Sequence, residues 1–435
     1  MKLIKYVFFL ALVLLLNACT SCKKKKKEDV QPPTISVISP SVGTSYNMFD
    51  TIRIDVQLDD ETQLTKIEII LRDLNGISVQ PGGSQSLNGT SKRYTTDYIL
   101  SEYRLKTGNY NLEFSVSDGS NVTVKNVQIH ITESPTYLTG YYFVYRNTTS
   151  HTLNKLDTNF VNTATINAFG AYGISGVSLY YQQLYLLNPS AQTLTTYKIQ
   201  DHLVKWSLAS IGINNSVCAI DENKIFVSKA SANVVSYNQN GTLIRSYISN
   251  ETFFYVKHIF LCGNYLVVNI EDNSNSASKK TIIYEVATGI VKRVITDNTE
   301  CTQAFSHASD EIYIVSKTNA GTSIVGNLNM ITLNYYQPLN SASPIKSSVL
   351  IDTGTLLFSC ADGSIKQYTF SSGNLIPLLT GTIADKLYYS PTFNKLYIAG
   401  AKTFTSYNKA PFALSLDKQL VALDTIRDFH VVYNK

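Results

Sequence analysis

The chain has 435 residues with 37 basic and 32 acidic side chains, a formal charge of +5. Seven of the lysines lie within the first 27 residues, and without them 30 basic residues stand against 32 acidic, a net −2. That excludes the concentrated positive field needed to neutralise phosphates on nucleic acid, and the length exceeds what one ordinary domain needs.

Lys2 and Lys5 begin the chain, and Val7 to Leu16 is almost wholly apolar, the layout of a secretory signal. The run is too short for a bilayer crossing, which takes roughly 20 apolar residues. It stops at Leu16-Asn17-Ala18-Cys19, which resembles the bacterial lipoprotein processing box. The resemblance implies cleavage after residue 18 and a lipid on Cys19, so that 1–18 is signal and the membrane is a partner through the N-terminal lipid. Asn17 is a less usual occupant of its position, and Cys22 is a second thiol close by. In lipoprotein families an Asp after the lipidated cysteine favours inner-membrane retention. Thr20 stands there, which points to the outer membrane and leaves the periplasmic or extracellular face open.

Residues 19–33 carry Lys23 to Lys27, Glu28-Asp29 and Gln31-Pro32-Pro33, a polar stretch that cannot bury enough apolar area to fold and reads as a tether. Each lysine near an anionic surface contributes about 1 kcal/mol, with the lipid supplying the remaining anchoring. No later segment has the pattern of a membrane span.

From residue 34 to 132 apolar residues alternate at period two: Ile52, Ile54, Val56, Leu58; Ile67, Ile69, Leu71; Tyr110, Leu112, Phe114, Val116; then Val122, Val124 and Val127 to Ile131. Turn clusters at Leu74-Asn75-Gly76 and Ser117-Asp118-Gly119 separate the strands, which suits an immunoglobulin-like β-sandwich. Pro33 to Pro40 and Gly108 to Asp118 resemble immunoglobulin-like and PKD-like modules of bacterial surface proteins, where such a module is most often a spacer. Asp59, Asp60 and Glu61 form an acidic turn without the further oxygen ligands that calcium needs.

Residues 138–435 repeat. The quartet Tyr142 to Tyr145 recurs at Leu184, Ile225, Leu266, Ile312, Leu356 and Leu396, with spacings of 42, 41, 41, 46, 44 and 40 residues, the period of a four-stranded propeller blade. Each repeat reads as a strand, a tight turn, this anchor strand, a strand often closing in Tyr, a turn and a last strand. The first anchor has no strand directly before it, but Asp428 to Lys435 matches Lys386 to Tyr389 in character, which predicts that the tail completes the first repeat. The aliphatic-aromatic-aliphatic anchors with Thr-Gly or Asn-Gly turns resemble YVTN and YncE-like seven-bladed propellers, with quinoprotein-like propellers as relations. The resemblance covers about two thirds of the chain, implies an all-β, ring-closed architecture, and lacks Trp-Asp and Gly-His signatures.

Reaction chemistry is sparse. The blade tryptophans of quinoproteins are reduced to Trp206, which reads as a packing residue, so no cofactor is expected. G-x-S-x-G and H-E-x-x-H are absent. His130, His151, His202, His258, His307 and His430 share no offset; His307, just before an anchor strand, is the one placed to face a central channel, though a satisfied strand histidine is the simpler reading. Asp272 to Ser276 has the oxygens of a calcium loop without its closing Glu and reads as a hairpin loop. Cys218, Cys262, Cys301 and Cys360 have no metal spacing and read as small buried hydrophobes, although an oxidising compartment permits a disulfide. No residue is assigned as catalytic, cofactor-binding or metal-binding. The tyrosine pairs 141–142, 180–181, 335–336 and 388–389 are read as alternating faces within strands, so at least one of each is expected in the core.

The sequence therefore predicts an envelope lipoprotein, lipid-anchored in the outer membrane, whose propeller rim binds a protein or a glycan. Two rivals stand beside it: a lactonase-like or lyase-like enzyme, which needs acidic, His or Arg groups converging on the channel mouth, and an envelope assembly scaffold.

Overall fold

The computed structural model describes residues 30–102, 104–146, 150–169, 174–188, 191–209, 218–220, 224–229 and 231–434, with the backbone alone at 81, 167–169 and 218–220. The signal, Cys19, the Lys-rich tether and the side chain of Cys218 lie outside the described residues. Those described are all-β, with no helix among them. The chain divides into two compact units that meet between Pro135 and Thr136.

The first unit has two sheets around one apolar core. Thr34–Ser39, Thr51–Asp59 and Ser91–Ile99 form a three-stranded sheet; Ser45–Asn47, Val122–Thr132, Gly108–Ser117, Lys66–Arg72 and Ser78–Ser86 form a five-stranded one. Pairing is antiparallel except between Ser45–Asn47 and Val122–Thr132. Ile52, Ile54, Val56 and Leu58 meet Ile67, Leu71, Leu112, Phe114 and Val116 in the core. One sequence reading fails. Val122 and Val124 are exposed, because Val122–Thr132 runs in unbroken register against Gly108–Ser117 and only its odd positions, Val127, Ile129 and Ile131, turn inward. The turn Ser117-Asp118-Gly119 is held by Asp118, whose carboxylate accepts from the backbone N–H of Ser120 and Asn121. Asp60 Oδ1 likewise accepts from the N–H groups of Thr62 and Gln63, at 2.8 and 2.9 Å, so that carboxylate serves its own turn.

The second unit contains, among the described residues, seven four-stranded antiparallel sheets. Six are consecutive in sequence: 174–208, 218–247, 254–295, 300–341, 345–379 and 386–421. The remaining sheet joins Asn162–Phe169, His151–Leu156 and Leu138–Arg146 to the tail strand Thr425–Tyr433. The tail occupies the leading position of this first sheet and runs antiparallel to the first anchor, with Phe429 opposite Phe143 and His430 opposite Tyr142. Leading strands of successive sheets touch from the second sheet to the seventh; Thr425–Tyr433 touches the second sheet at Ile174–Ser178 and the seventh at Lys395–Ala399.

Why these residues form these sheets is visible in the anchors. Each is apolar on both faces and buried, from Tyr142 and Phe143 through Leu356 and Leu357 to Leu396 and Tyr397, because each sheet has a neighbour against either side. The tyrosine that closes the next strand lies opposite the first anchor residue: Leu184 with Tyr197, Ile225 with Tyr237, Leu266 with Tyr284, Leu356 with Tyr368, Leu396 with Tyr407. Such cross-strand pairs are the unit of sheet stabilisation. Between the first and seventh sheets the core is aromatic, with Phe404 edge-on to Phe143 and to Phe429 at centroid distances of 4.8 and 4.9 Å.

Trp206 packs between the second and third sheets, as read from the sequence. Its Nε1–H donates to the carbonyl of Gln239 at 2.9 Å, and its ring covers Gly241, whose φ of +80° and closeness to the indole leave no room for a side chain. The first tyrosine pair meets the expectation of at least one core member, whereas the second does not lie in a strand as read. Tyr141 and Tyr142 are both buried because their strand is covered on both faces, and Tyr180-Tyr181 lies in a turn, not a strand.

Candidate functional site

Two kinds of polar assembly stand out in the second unit. The first lines the leading strands. Asp428 and His430 on the tail strand, Ser175 on the second sheet and Lys386 on the seventh converge, although they are up to 255 residues apart in sequence. Lys386 Nζ pairs with Asp428 Oδ1, which also accepts from the Phe429 N–H. Ser175 Oγ lies 3.1 Å from Asp428 Oδ2 and 2.8 Å from His430 Nε2. Burial, reinforced by the charge of Lys386, holds the His430 imidazole well below its ordinary pKa of 6.5, so it is neutral at pH 7. Burial also draws Lys386 down, to about 8.

This is not a nucleophile–base relay. A hydroxyl has one proton, and the carboxylate is the stronger claimant, so Ser175 donates to Asp428 while Nε2–H of His430 donates to Ser175 Oγ. The only His430 nitrogen facing the serine then carries a proton and has no base to offer. In a catalytic triad the carboxylate orients the other ring nitrogen, whereas Asp428 Oδ2 lies 3.6 Å from Nε2 itself.

A second charged group lies on the fourth and fifth sheets. Glu271 accepts from Tyr255 Oη and pairs with Lys257 Nζ, both at 2.6 Å, while Glu300 is 3.0 Å from His258 Nε2 and 3.7 Å from Lys257. Burial alone would raise the pKa of Glu271, yet Lys257 and Tyr255 hold it below the ordinary value. The hydrogen bond from His258 takes Glu300 down to about 2 from 4.5. Because the folded value is the lower one, the contribution of Glu300 is complete above pH 4.5 and is lost as pH falls toward 2. After discounting for solvent screening we expect Glu300→Gln to remove about 1–2 kcal/mol at pH 6 and almost nothing near pH 2. Urea unfolding of both proteins across that range checks it, and a cost that does not shrink with acid would refute the assignment.

The second kind of assembly is a pair of cavities between sheets. One, of about 500 Å³, opens between the fifth and sixth sheets and is lined by His307, Glu311, Asn327, Asn334, Tyr336 and Phe370, among others. The other, of about 440 Å³, opens between the sixth and seventh and includes Asp352, Gln367, Tyr389, Lys409 and Phe412. They flank one turn: Gly354 belongs to the first, Asp352 and Thr355 to the second. His307, the histidine singled out by sequence, faces the first cavity and takes no part in the leading-strand cluster; its Nε2 is 3.4 Å from Glu311, and its Nδ1 is buried without a partner.

A recurring register position explains the cavities' chemistry. Opposite the second anchor residue the next strand carries Asn154, Thr196, Ser236, Asn327, Gln367 and Ser406 in six of the sheets, and Ile283 in the fourth. Ser406 donates to Asp417 at 2.8 Å. The polar oxygens of the other five are buried without a partner, and of these Asn327 and Gln367 line the cavities. Asn327 donates through Nδ2 to Tyr336 Oη at 3.1 Å, which leaves Oδ1 as the unused acceptor. Sequence reading missed this position because a lone polar residue in an apolar strand is weak evidence until the repeats are aligned in register.

Other sequence candidates have plain roles. Asp272 Oδ1 accepts from the N–H of Ser274 at 2.7 Å and of Asn275 at 3.2 Å in the hairpin between Tyr265–Asp272 and Lys279–Glu285. Cys262, Cys301 and Cys360 are buried free thiols, and burial pushes Cys262 up to about 12.

No family model matches the chain, and no curated protein does. Among solved structures it is similar to a quinoprotein alcohol dehydrogenase-like protein from Bacteroides thetaiotaomicron, at 13% identity and TM-score 0.47 over 93% of this chain and 100% of that one. It is also similar to a putative 6-phosphogluconolactonase from Bacteroides fragilis, at 10% and 0.48 over 68% and 98%. The computationally designed Ika8 protein matches at 10% and 0.48 over 67% and 89%. At these values none of the likenesses bears on activity.

Proposed function

We propose that the chain is a cell-envelope lipoprotein, held in the outer membrane by a lipid on Cys19, whose second unit is a closed seven-bladed propeller presenting a binding platform for a protein or glycan. In this reading the first unit is an immunoglobulin-like sandwich serving as spacer. Its division into a three-stranded sheet and a five-stranded sheet with one short parallel edge pairing supports that assignment. Ring closure is supported by the pairing of the tail strand with the first anchor and by the unbroken succession of contacts between leading strands.

One contrast carries the choice of binding over catalysis. The charged groups Asp428, Lys386, Glu271 and Lys257 are paired with one another, while Asn327 and Gln367, whose amide oxygens are buried without a donor, line two cavities. Buried polar groups left unpaired cost about 1–3 kcal/mol each, so a partner that supplies donors there gains that much.

The test is made in cells. Replacing Cys19→Ala should abolish incorporation of labelled palmitate and move the protein from the membrane to the soluble fraction. Protease added to intact cells reports the face, and unchanged membrane retention in the variant would overturn the anchoring claim. Solubilised protein from the same cells should hydrolyse no ester or lactone substrate, and turnover abolished by Ser175→Ala would overturn the binding reading.

A further inference from the structure

The two cavities on either side of residues 352–355 share a chemistry that selects a ligand. Both have volumes within the range of about 300–1,000 Å³ that small-molecule sites occupy. Asn327 is 4% exposed and Gln367 5%, and each holds an amide oxygen with no donor. In the first cavity His307 lies against Glu311; in the second, Lys409 donates to the backbone carbonyls of Ala410 and Pro411. Asp352 accepts from the N–H of Gly354 at 2.8 Å. An ion would find no uncommitted countercharge in the first cavity, whereas a polyhydroxyl ligand offers O–H donors to the amide oxygens and acceptors to the lining amides. Each cavity also has an exposed aromatic ring, Tyr336 at 57% and Phe412 at 66%, which suits the C–H face of a pyranose.

We propose that these paired cavities bind a neutral oligosaccharide, the Asn327 and Gln367 amides turning on binding so that their buried oxygens accept from its hydroxyls, and its ring faces lying on Tyr336 and Phe412. The inference rests on the binding-platform reading and names its ligand and place. The neighbouring repeats explain why the site is local. In the flanking fourth and seventh sheets the same register position holds Ile283, which is apolar, and Ser406, which donates to Asp417.

The experiment is affinity electrophoresis of the full chain in gels containing starch, dextran, xylan, galactomannan or mixed-linkage β-glucan, followed by calorimetry with oligosaccharides of whichever polymer retards it. Retardation by at least one polymer is expected. Phe412→Ala, at an exposed position, should weaken binding about tenfold or more with melting temperature unchanged; Tyr336→Ala should weaken it as much and also lower the melting temperature, because it takes the acceptor from Asn327 Nδ2. Asn327→Leu and Gln367→Leu should weaken binding as much while removing an unpaired acceptor. Absence of retardation by all five polymers, retardation confined to a charged polymer such as heparin, or wild-type affinity in all four variants would overturn the inference. A partner captured from solubilised envelopes and indifferent to all four substitutions would overturn this site while leaving the platform standing. Failure of every capture as well would end both.

Discussion

A chain ending after Asp424 will not fold its second unit. The lost strand Thr425–Tyr433 is, among the described residues, the partner of the leading edge of Leu138–Arg146, and it carries Ile426, Phe429, Val431, Val432 and Tyr433 into the core. At about 1.5–3 kcal/mol per buried side chain the loss is roughly 8–15 kcal/mol, as large as the whole stability of an ordinary domain. Limited proteolysis should degrade 136–424 rapidly while a fragment covering 34–132, which has its own core, resists. Thermal unfolding should lose the transition of the second unit. A truncated chain that keeps this transition would mean that the tail only decorates a sheet complete without it.

Asp428→Ala should cost about 2–4 kcal/mol. It removes the carboxylate acceptor from the hydroxyl of Ser175 and from the N–H of Phe429, and it takes the counter-ion from Lys386. Lys386 keeps some contact with solvent, which holds the cost below that of breaking a fully buried pair. Asp428→Asn retains an acceptor and should cost less. Adding Lys386→Met to Asp428→Ala should recover part of the loss, since a double replacement leaves no orphaned charge. Urea denaturation of the wild type, Asp428→Ala, Lys386→Met and the double variant gives the cycle, and strictly additive effects would show that the pair has no coupling.

Much of the fold was legible because the strongest signal is the one repeated most often. The anchors at Leu184, Ile225, Leu266, Ile312, Leu356 and Leu396 all lie within strands, and the tail read from Asp428 to Lys435 pairs with the first anchor through Thr425–Tyr433. Faces were harder to read. Val122 and Val124 are apolar, but the continuous ladder fixed by Gly108–Ser117 places them outside. The leading-strand cluster was invisible for a different reason: Ser175, Lys386, Asp428 and His430 have no common spacing, and only the return of the tail strand brings them together. Register, not composition, also revealed Asn327 and Gln367, whose equivalence appears once each is set opposite the second anchor residue of its own sheet.

The stitching of the last strand to the first anchor also sets an order on biogenesis. Thr139 and the residue it reaches, Val432, are separated by 293 positions, so a nascent chain displays the open edge and buried face of Leu138–Arg146 for nearly the whole of its synthesis. Such an edge invites mispairing until it is covered. Folding of this unit thereby acts as a completeness check: a polypeptide stalled or clipped before its final residues leaves Tyr141 and Phe143 without Phe429, Val431 and Tyr433 against them, where chaperones and proteases can recognise it.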